Sequence, residues 1–209
     1  MEPKRFDIIT EADARVLEPG STVRLSPRGH VTPLAQDTLR SRRVTVVFED
    51  GRDLGSLPAQ GAVKRVAIGS DHVGFDLKAA LVPWLRARGI AVEDVGVLEK
   101  APADYPDIAA AVAQRVARGE ADIGIAIDGA GIGSAIAANK VAGVRAAMCT
   151  DETLARYSRE HNAANVLTLG ATLVDVDAAK AIVLRFLESS MREPRYAARI
   201  DKITRLERR

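Results

Sequence analysis
The 209 residues are 47% hydrophobic and 28% charged, the balance of a soluble globular chain with room for a large domain and a small one. A net charge of +2 argues against a nucleic-acid partner, no apolar run of about eighteen residues is present to span a membrane, and "MEPKRFDIIT" lacks a signal-peptide core, which favours the cytoplasm. One cysteine, Cys149, excludes an internal disulfide and a cysteine metal cluster, and three histidines, His30, His72 and His161, are too few for a His-rich metal site.

Residues 1–50 read as a small extension. Thr10 and Asp13 form an N-cap pair opening a short helix, "TEADARVL". "TVRLS" and "RVTVVFED" read as strands, with a helix "TPLAQDTLRSRR" between them, capped by Thr32 and started by Pro33. Residues 1–60 hold nine basic and nine acidic residues, so this part has no net charge to attract a polyanion. Residues 51–64, punctuated by glycine and proline, read as a linker.

From residue 65 to 209 strands and helices alternate. Strand "RVAIGS" precedes helix "FDLKAALVPWLRARG"; strand "IAVEDVG" precedes helix "YPDIAAAVAQRVARG". Then come strand "IGIAID", helix "SAIAANKVAG", strand "VRAAMC", helix "DETLARYSREHN" and strand "NVLTLG". Helices "VDAAKAIVLRFLESS" and "PRYAARIDKITRLERR" close the chain. Five short apolar strands separated by helices predict an α/β, Rossmann-like three-layer sandwich around a mainly parallel five-stranded sheet. The N-terminal part adds a small α+β extension. Ligands in such folds sit beyond the carboxyl ends of the strands, and the candidate residues are expected there.

"GSDHVG" ends the first of these strands with Asp71 and His72. The aspartate can cap the next helix or serve the site, and its place at the rim favours function. "DGAGIG" ends the third with Asp128 and a loop of Gly129, Gly131 and Gly133, which lets backbone N–H groups approach an anion. The spacing does not fit a dinucleotide fingerprint, because Ser134 stands where its third glycine would be, and there is no Walker sequence. His161 and Asn162 end a helix and are candidates for proton transfer. Arg195 and Arg199, four apart on the last helix, are candidates for a phosphate grip. Cys149 reads as a buried, inert thiol and Trp84 as core.

Taken together, "GSDHVGFDLK", "DYPDIAAAVA", "DGAGIGSAIAANKVAGVRAA", "SREHNAANVLTLG" and "RYAARIDKI" resemble the ribose-5-phosphate isomerase B family, which includes the galactose-6-phosphate isomerase subunits. The resemblance covers about residues 65–207. It implies aldose–ketose isomerisation of a sugar phosphate without metal or organic cofactor, in a homodimer or homotetramer whose active sites are shared between subunits. Carried over by motif, Asp71 and His72 line the sugar site and His161 assists ring opening. Loop 129–133 holds the enediolate, and Asn162, Arg195 and Arg199 surround the substrate and its phosphate. Typical members read Cys-Gly-Thr-Gly-Ile-Gly at this loop, with the cysteine as base; here Asp128 and Ala130 replace cysteine and threonine. Another branch carries a glutamate base where this chain has Ser134. Asp128 is therefore the candidate replacement base; the competing reading is a loop that binds but no longer catalyses.

The extension, with "ITEADARVLEPGSTVRL" and "HVTPLAQDTLRSRRVTVVF", is similar to segments fused to enzymes of bacterial microcompartments. That similarity implies association with shell or cargo proteins; the alternative is a lobe that only stabilises the oligomer.

Overall fold
The computed structural model describes residues 4–31, 35, 38–39, 41–49, 63–191 and 194–207. The chain divides into two compact units, Met1–Ala59 with Arg192–Arg199, and Gln60–Met191 with Ile200–Arg209. Most of the expected linker (51–62) and much of the helix expected over 32–43, with Thr32 and Pro33, lie outside the described residues.

In the first unit, β1 (Arg5–Ile9), β2 (Thr22–Val31) and β3 (Thr45–Phe48) form a parallel sheet in that order. Strand β1 was not foreseen from "RFDII", which is too short for its alternation to stand out; its pairing with β2 slips register between Phe6 and Ile8. Helix α1 (Glu11–Val16) crosses from β1 to β2. Thr10 and Asp13 close its first turn as a reciprocal capping box, which satisfies N–H donors that a helix start otherwise leaves bare. Ile9, Ala14, Val23, Leu25 and Val46 meet in the core of this unit.

The second unit contains β4 (Arg65–Ser70), α2 (Phe75–Arg86), β5 (Ala91–Asp94), α3 (Tyr105–Ala117), β6 (Ile123–Asp128) and α4 (Ile132–Ala138). It continues with β7 (Ala146–Met148), α5 (Glu152–Asn162), β8 (Val166–Gly170) and α6 (Val176–Glu188). Helix α7 (Pro194–Leu206) follows. All five strands are parallel, in the order β5-β4-β6-β8-β7, the Rossmann-like arrangement expected. The chain leaves β4 toward one edge and returns to β6 on the other side of it, so the switch in strand order falls between β4 and β6.

The two faces of this sheet are built from different residues. Because side chains alternate along a strand, Val66 and Ile68, Ile123, Ile125 and Ile127, and Leu167 and Leu169 all point one way. There they pack on Leu77, Leu81 and Leu85 of α2 and Ile182, Val183 and Phe186 of α6. The opposite face carries Ala67, Ala126 and Val166 against Ala109, Val112, Ala113 and Val116 of α3. Small residues are needed there: a Cβ on Gly69 or Gly124 would run into Val112 of α3. Asp128 continues the Gly124–Ala126 row, which aims it at the face that carries α4. The alternation that buries the isoleucines therefore also points this carboxylate.

Helix α4 is shorter and starts earlier than its alanine-rich sequence predicts. Gly131 enters it with φ 76°, a backbone that favours glycine. A side chain there would strike the backbone of Leu169 and Gly170. The helix stops because the Asn139 side chain turns to β7, donating to Ala146 O and accepting the Ala146 N–H.

Candidate functional site
Strands β4 and β6 are neighbours, with Ser70 opposite Ile127, so Asp71 and Asp128 emerge side by side at their carboxyl ends. The Asp71 N–H donates to Ile127 O at 3.2 Å. Asp71 is buried, and its Oδ1 accepts the N–H groups of Val73 and Gly74, both at 2.9 Å. The carboxylate thus organises the turn into α2 while standing at the rim. His72 is half-buried, and its Nδ1 is buried with no hydrogen-bond partner among the described residues. The Ser70 hydroxyl, at the last residue of β4, is in the same condition and was not singled out from the sequence. A buried polar atom without a partner is uncommon in a folded protein, and two within three residues at the end of β4 mark this rim as a place where a polar ligand would supply missing bonds.

Asp128 is 4% exposed. Its Oδ1 accepts the Ala130 N–H at 2.8 Å and also the Gly131 N–H, while Oδ2 accepts the Ser134 N–H at 2.9 Å. The loop's carbonyls are held from β8 and the turn after it. Thr168 Oγ1 donates to Gly131 O at 2.7 Å, and Thr172 donates to Gly129 O through Oγ1 at 2.7 Å and its N–H at 3.0 Å. Gly133 lets the Tyr105 ring lie flush on the loop, where any Cβ would overlap it. Thr168 and Thr172 escaped the sequence reading because their role depends on β8 lying next to β6, which strand order decides.

His161 and Asn162 do not join this group within one chain, contrary to the expectation that all candidates lie beyond the carboxyl ends of the strands. They end α5, which runs back to the amino ends of the strands to feed β8. The Gly124 N–H donates to Asn165 O, so this connection enters level with Gly124. That is four strand residues, about 13 Å at roughly 3.3 Å each, from Asp128. His161 stacks on Tyr157, with ring centroids 4.7 Å apart, and Asn162 is exposed. The connection is held rigidly: Arg145 Nε donates to Ala163 O and the Arg159 guanidinium to Ala164 O and Ser189 O. Burial pushes Arg159 down to about 10.

Arg195 and Arg199 lie on α7 in the stretch assigned to the first unit. The Arg195 side chain is outside the described part; Arg199 is exposed, its guanidinium 5.6 Å from the centre of the Tyr196 ring. Cys149 is buried at the end of β7, and burial pushes its thiol up to about 11, which leaves it a poor nucleophile at neutral pH. Trp84 packs half-buried on the core under Arg88. Among the described residues no group of His, Cys, Asp and Glu is placed to hold a metal ion, and no helix is long and apolar enough to cross a membrane.

The chain is similar to proteins of known class. Ribose-5-phosphate isomerase B of Escherichia coli (strain K12) is 44% identical over 147 residues, covering 70% of this chain and 99% of that protein. The galactose-6-phosphate isomerase subunit LacB of Clostridium acetobutylicum is 37% identical over 124 residues, covering 59% of this chain and 72% of its own. Among solved structures, ribose-5-phosphate isomerase B of Clostridium thermocellum superimposes with a TM-score of 0.68 at 46% identity, over 69% of this chain and 97% of that one. The Ribose/Galactose Isomerase family model matches residues 66–203, the span that holds the five-stranded sheet and both strand-end aspartates. By that match the chain belongs to the ribose/galactose isomerase family.

Proposed function
We propose that this isomerase interconverts ribose 5-phosphate and ribulose 5-phosphate, or a closely related aldose and ketose phosphate, through an enediolate and without a metal or organic cofactor. The observation that carries the reading is a family domain whose β4–β6 rim has buried Asp71 and Asp128 side by side, with His72 Nδ1 next to Asp71 and without a partner among the described residues. Asp128 is the base that moves the proton between C2 and C1. Asp71 and His72 line the sugar, and loop 129–133 receives the developing negative charge. His161 assists ring opening, with Asn162 on the sugar and Arg195 and Arg199 on the phosphate.

Since His161 lies toward the amino ends of its own sheet's strands, its part in this chemistry requires a second copy of the chain. A homodimer, alone or paired into a tetramer, supplies it. Ile132 and Ile136, one helical turn apart on α4 and 55% and 60% exposed, give such a partner an apolar face next to the loop. The first unit, with a sheet and core of its own, is proposed as an assembly module for a bacterial microcompartment. Incubating the purified protein with ribose 5-phosphate and following ribulose 5-phosphate tests the activity. Turnover abolished by a chelator and restored by a divalent ion would sink the cofactor-free mechanism.

A second reading, a sugar-phosphate-binding or assembly protein that has lost turnover, draws support from the three N–H groups already engaged by Asp128 and from Ala130 in place of threonine. Solvent-deuterium exchange at the substrate carbon separates the two. Absence of exchange on every aldose or ketose phosphate tried would favour the second.

A further inference from the structure
The turn that leads from His161 and Asn162 into β8 is held at a cost in stability. Ala163 has φ 47° and ψ 39°, the left-handed region that residues other than glycine rarely enter. Its carbonyl and the next are each held by a guanidinium, Ala163 O by Arg145 Nε at 3.0 Å and Ala164 O by Arg159. Neutral donors could serve two carbonyls, and taking cations out of water is unfavourable. Burial pushes both guanidiniums below their usual range, and the charge of Arg145 lowers Arg159 further. Backbone strain of this kind gathers where exact geometry serves function. Of the two arginines, Arg145 grips the turn from another element, just before β7. Besides the bond from Nε, its N–H donates to Asn165 Oδ1 at 2.7 Å and its carbonyl accepts the Asn165 N–H at 3.0 Å. Asn165 Nδ2 donates to Gly143 O at 2.9 Å, and the Gly143 N–H donates to Glu207 at 3.0 Å. The end of α5 is thereby referenced to β7 and not left to its own last turn, which in a helix otherwise frays.

Resting on the isomerase reading above, we infer that Arg145 is a positioning residue for ring opening: by fixing the left-handed turn at Ala163, it sets where the His161 imidazole stands. A cyclic pentose phosphate opens by breaking its C1–O4 bond. O4 gains a proton, O1 gives one up and its electron pair forms the carbonyl, so the count of protons is unchanged. A group that moves those protons must stand within hydrogen-bond reach of the sugar oxygens, and a misplacement of about 1 Å can cost about 10²-fold. Arg145 touches no substrate in this role; it acts through the carbonyl two residues after His161.

Ribulose 5-phosphate separates ring opening from proton transfer at carbon. Its O5 carries the phosphate, so no hydroxyl is placed to close a five-membered ring, and exchange at its C1 with deuterated solvent needs no ring step. Arg145→Met keeps the apolar stem and removes the donors. It is expected to lower turnover of ribose 5-phosphate about tenfold, while exchange at C1 of ribulose 5-phosphate stays within about twofold of wild type. His161→Ala is expected to show the same split, and adding Arg145→Met to it should slow turnover no further. Unchanged turnover in Arg145→Met, equal losses of turnover and exchange, or additive losses in the double variant would overturn the proposal. Should Arg145→Met fail to fold, Arg145→Lys keeps the charge without the Nε donor and gives the same comparison. Ala163→Gly added to Arg145→Met takes the left-handed turn without strain, so thermal stability should recover while turnover stays low. Recovery of both together would make Arg145 a structural residue only. If wild type shows neither turnover nor exchange, the isomerase reading fails, and the position of His161 is read directly. Its imidazole proton resonances, shifted by the Tyr157 ring stacked 4.7 Å away, are expected to move in Arg145→Met. Resonances that stay in place would overturn the positioning role as well.

Discussion

The turns that follow β4 and β6 begin alike and are used differently. Each starts with a buried aspartate at the carboxyl end of an inner strand, and each aspartate accepts N–H groups from the residues just after it. Asp71 takes two, both on Oδ1, in a tight turn whose Gly74 packs against Ile127. Asp128 takes three across both oxygens, in a loop where Ala130, Gly131 and Ser134 all turn inward. One carboxylate shapes a corner, whereas the other fills the cradle that the glycines open. Buried acids one strand apart can therefore have separate duties, and the number and source of their N–H donors distinguish them.

The largest effect expected from this contrast is on turnover. Asp128→Asn should lower kcat by about 10²–10⁴-fold, the usual loss on removing a general base, whereas Asp71→Asn should lower it far less, since an amide oxygen can still accept from Val73 and Gly74. Equal losses in steady-state assays would erase the distinction between the turns. A recovery experiment comes next. Asp128→Asn and His161→Ala, each impaired alone, should regain about a quarter of wild-type activity when unfolded together and refolded as mixed dimers. Half of the dimers are then mixed, and each has one site with both residues intact. No recovery would mean that the site is completed without a second copy.

Smaller effects concern stability. Asp71→Ala leaves two N–H groups without their acceptor and should cost about 1–2 kcal/mol in denaturant unfolding. Thr168→Val removes the hydroxyl from Gly131 O, which still accepts the Ala135 N–H, and should cost only about 1 kcal/mol. A drop in kcat with Thr168→Val but not with Asp71→Asn would sharpen the comparison, because only the first loosens the cradle. The smallest effect should come from Cys149→Ala. With its thiol pushed up to about 11 by burial at the end of β7, the chain's one cysteine should resist alkylation at pH 8 until unfolding. Its loss should leave turnover within about twofold. A large loss would move the base from β6 to β7.

Much of the second unit was legible in the sequence because its signals are local. "IGIAID" alternates isoleucine with small residues, and that alternation predicts a strand buried on both faces, one of them approached closely by a helix. The three alternate glycines after it predict a loop that brings backbone N–H groups together, and the capping residues at Thr10 and Asp13 appear where expected. What the local pattern could not supply was partner choice. The short "RFDII" became a strand only by pairing with β2, and Asn139 ended α4 by bonding to β7. Nothing local in "SREHN" marks Arg159, yet the fold buries it, where its guanidinium holds Ala164 O and Ser189 O.

The sequence by itself determined the parallel α/β architecture, the rim aspartates and the family, since periodicity, turn residues and motif spacing are properties of neighbours along the chain. Only the tertiary structure decided which of those residues meet. The strand order put Asp71 beside Asp128 and Thr168 under the glycine loop, while the return path of α5 put His161 toward the amino ends of the same strands. It also decided that the Asp128 carboxylate faces its own loop's donors. Hydrogen bonds form between groups close in space, and in a crossed-over parallel sheet spatial neighbours lie tens of residues apart in sequence.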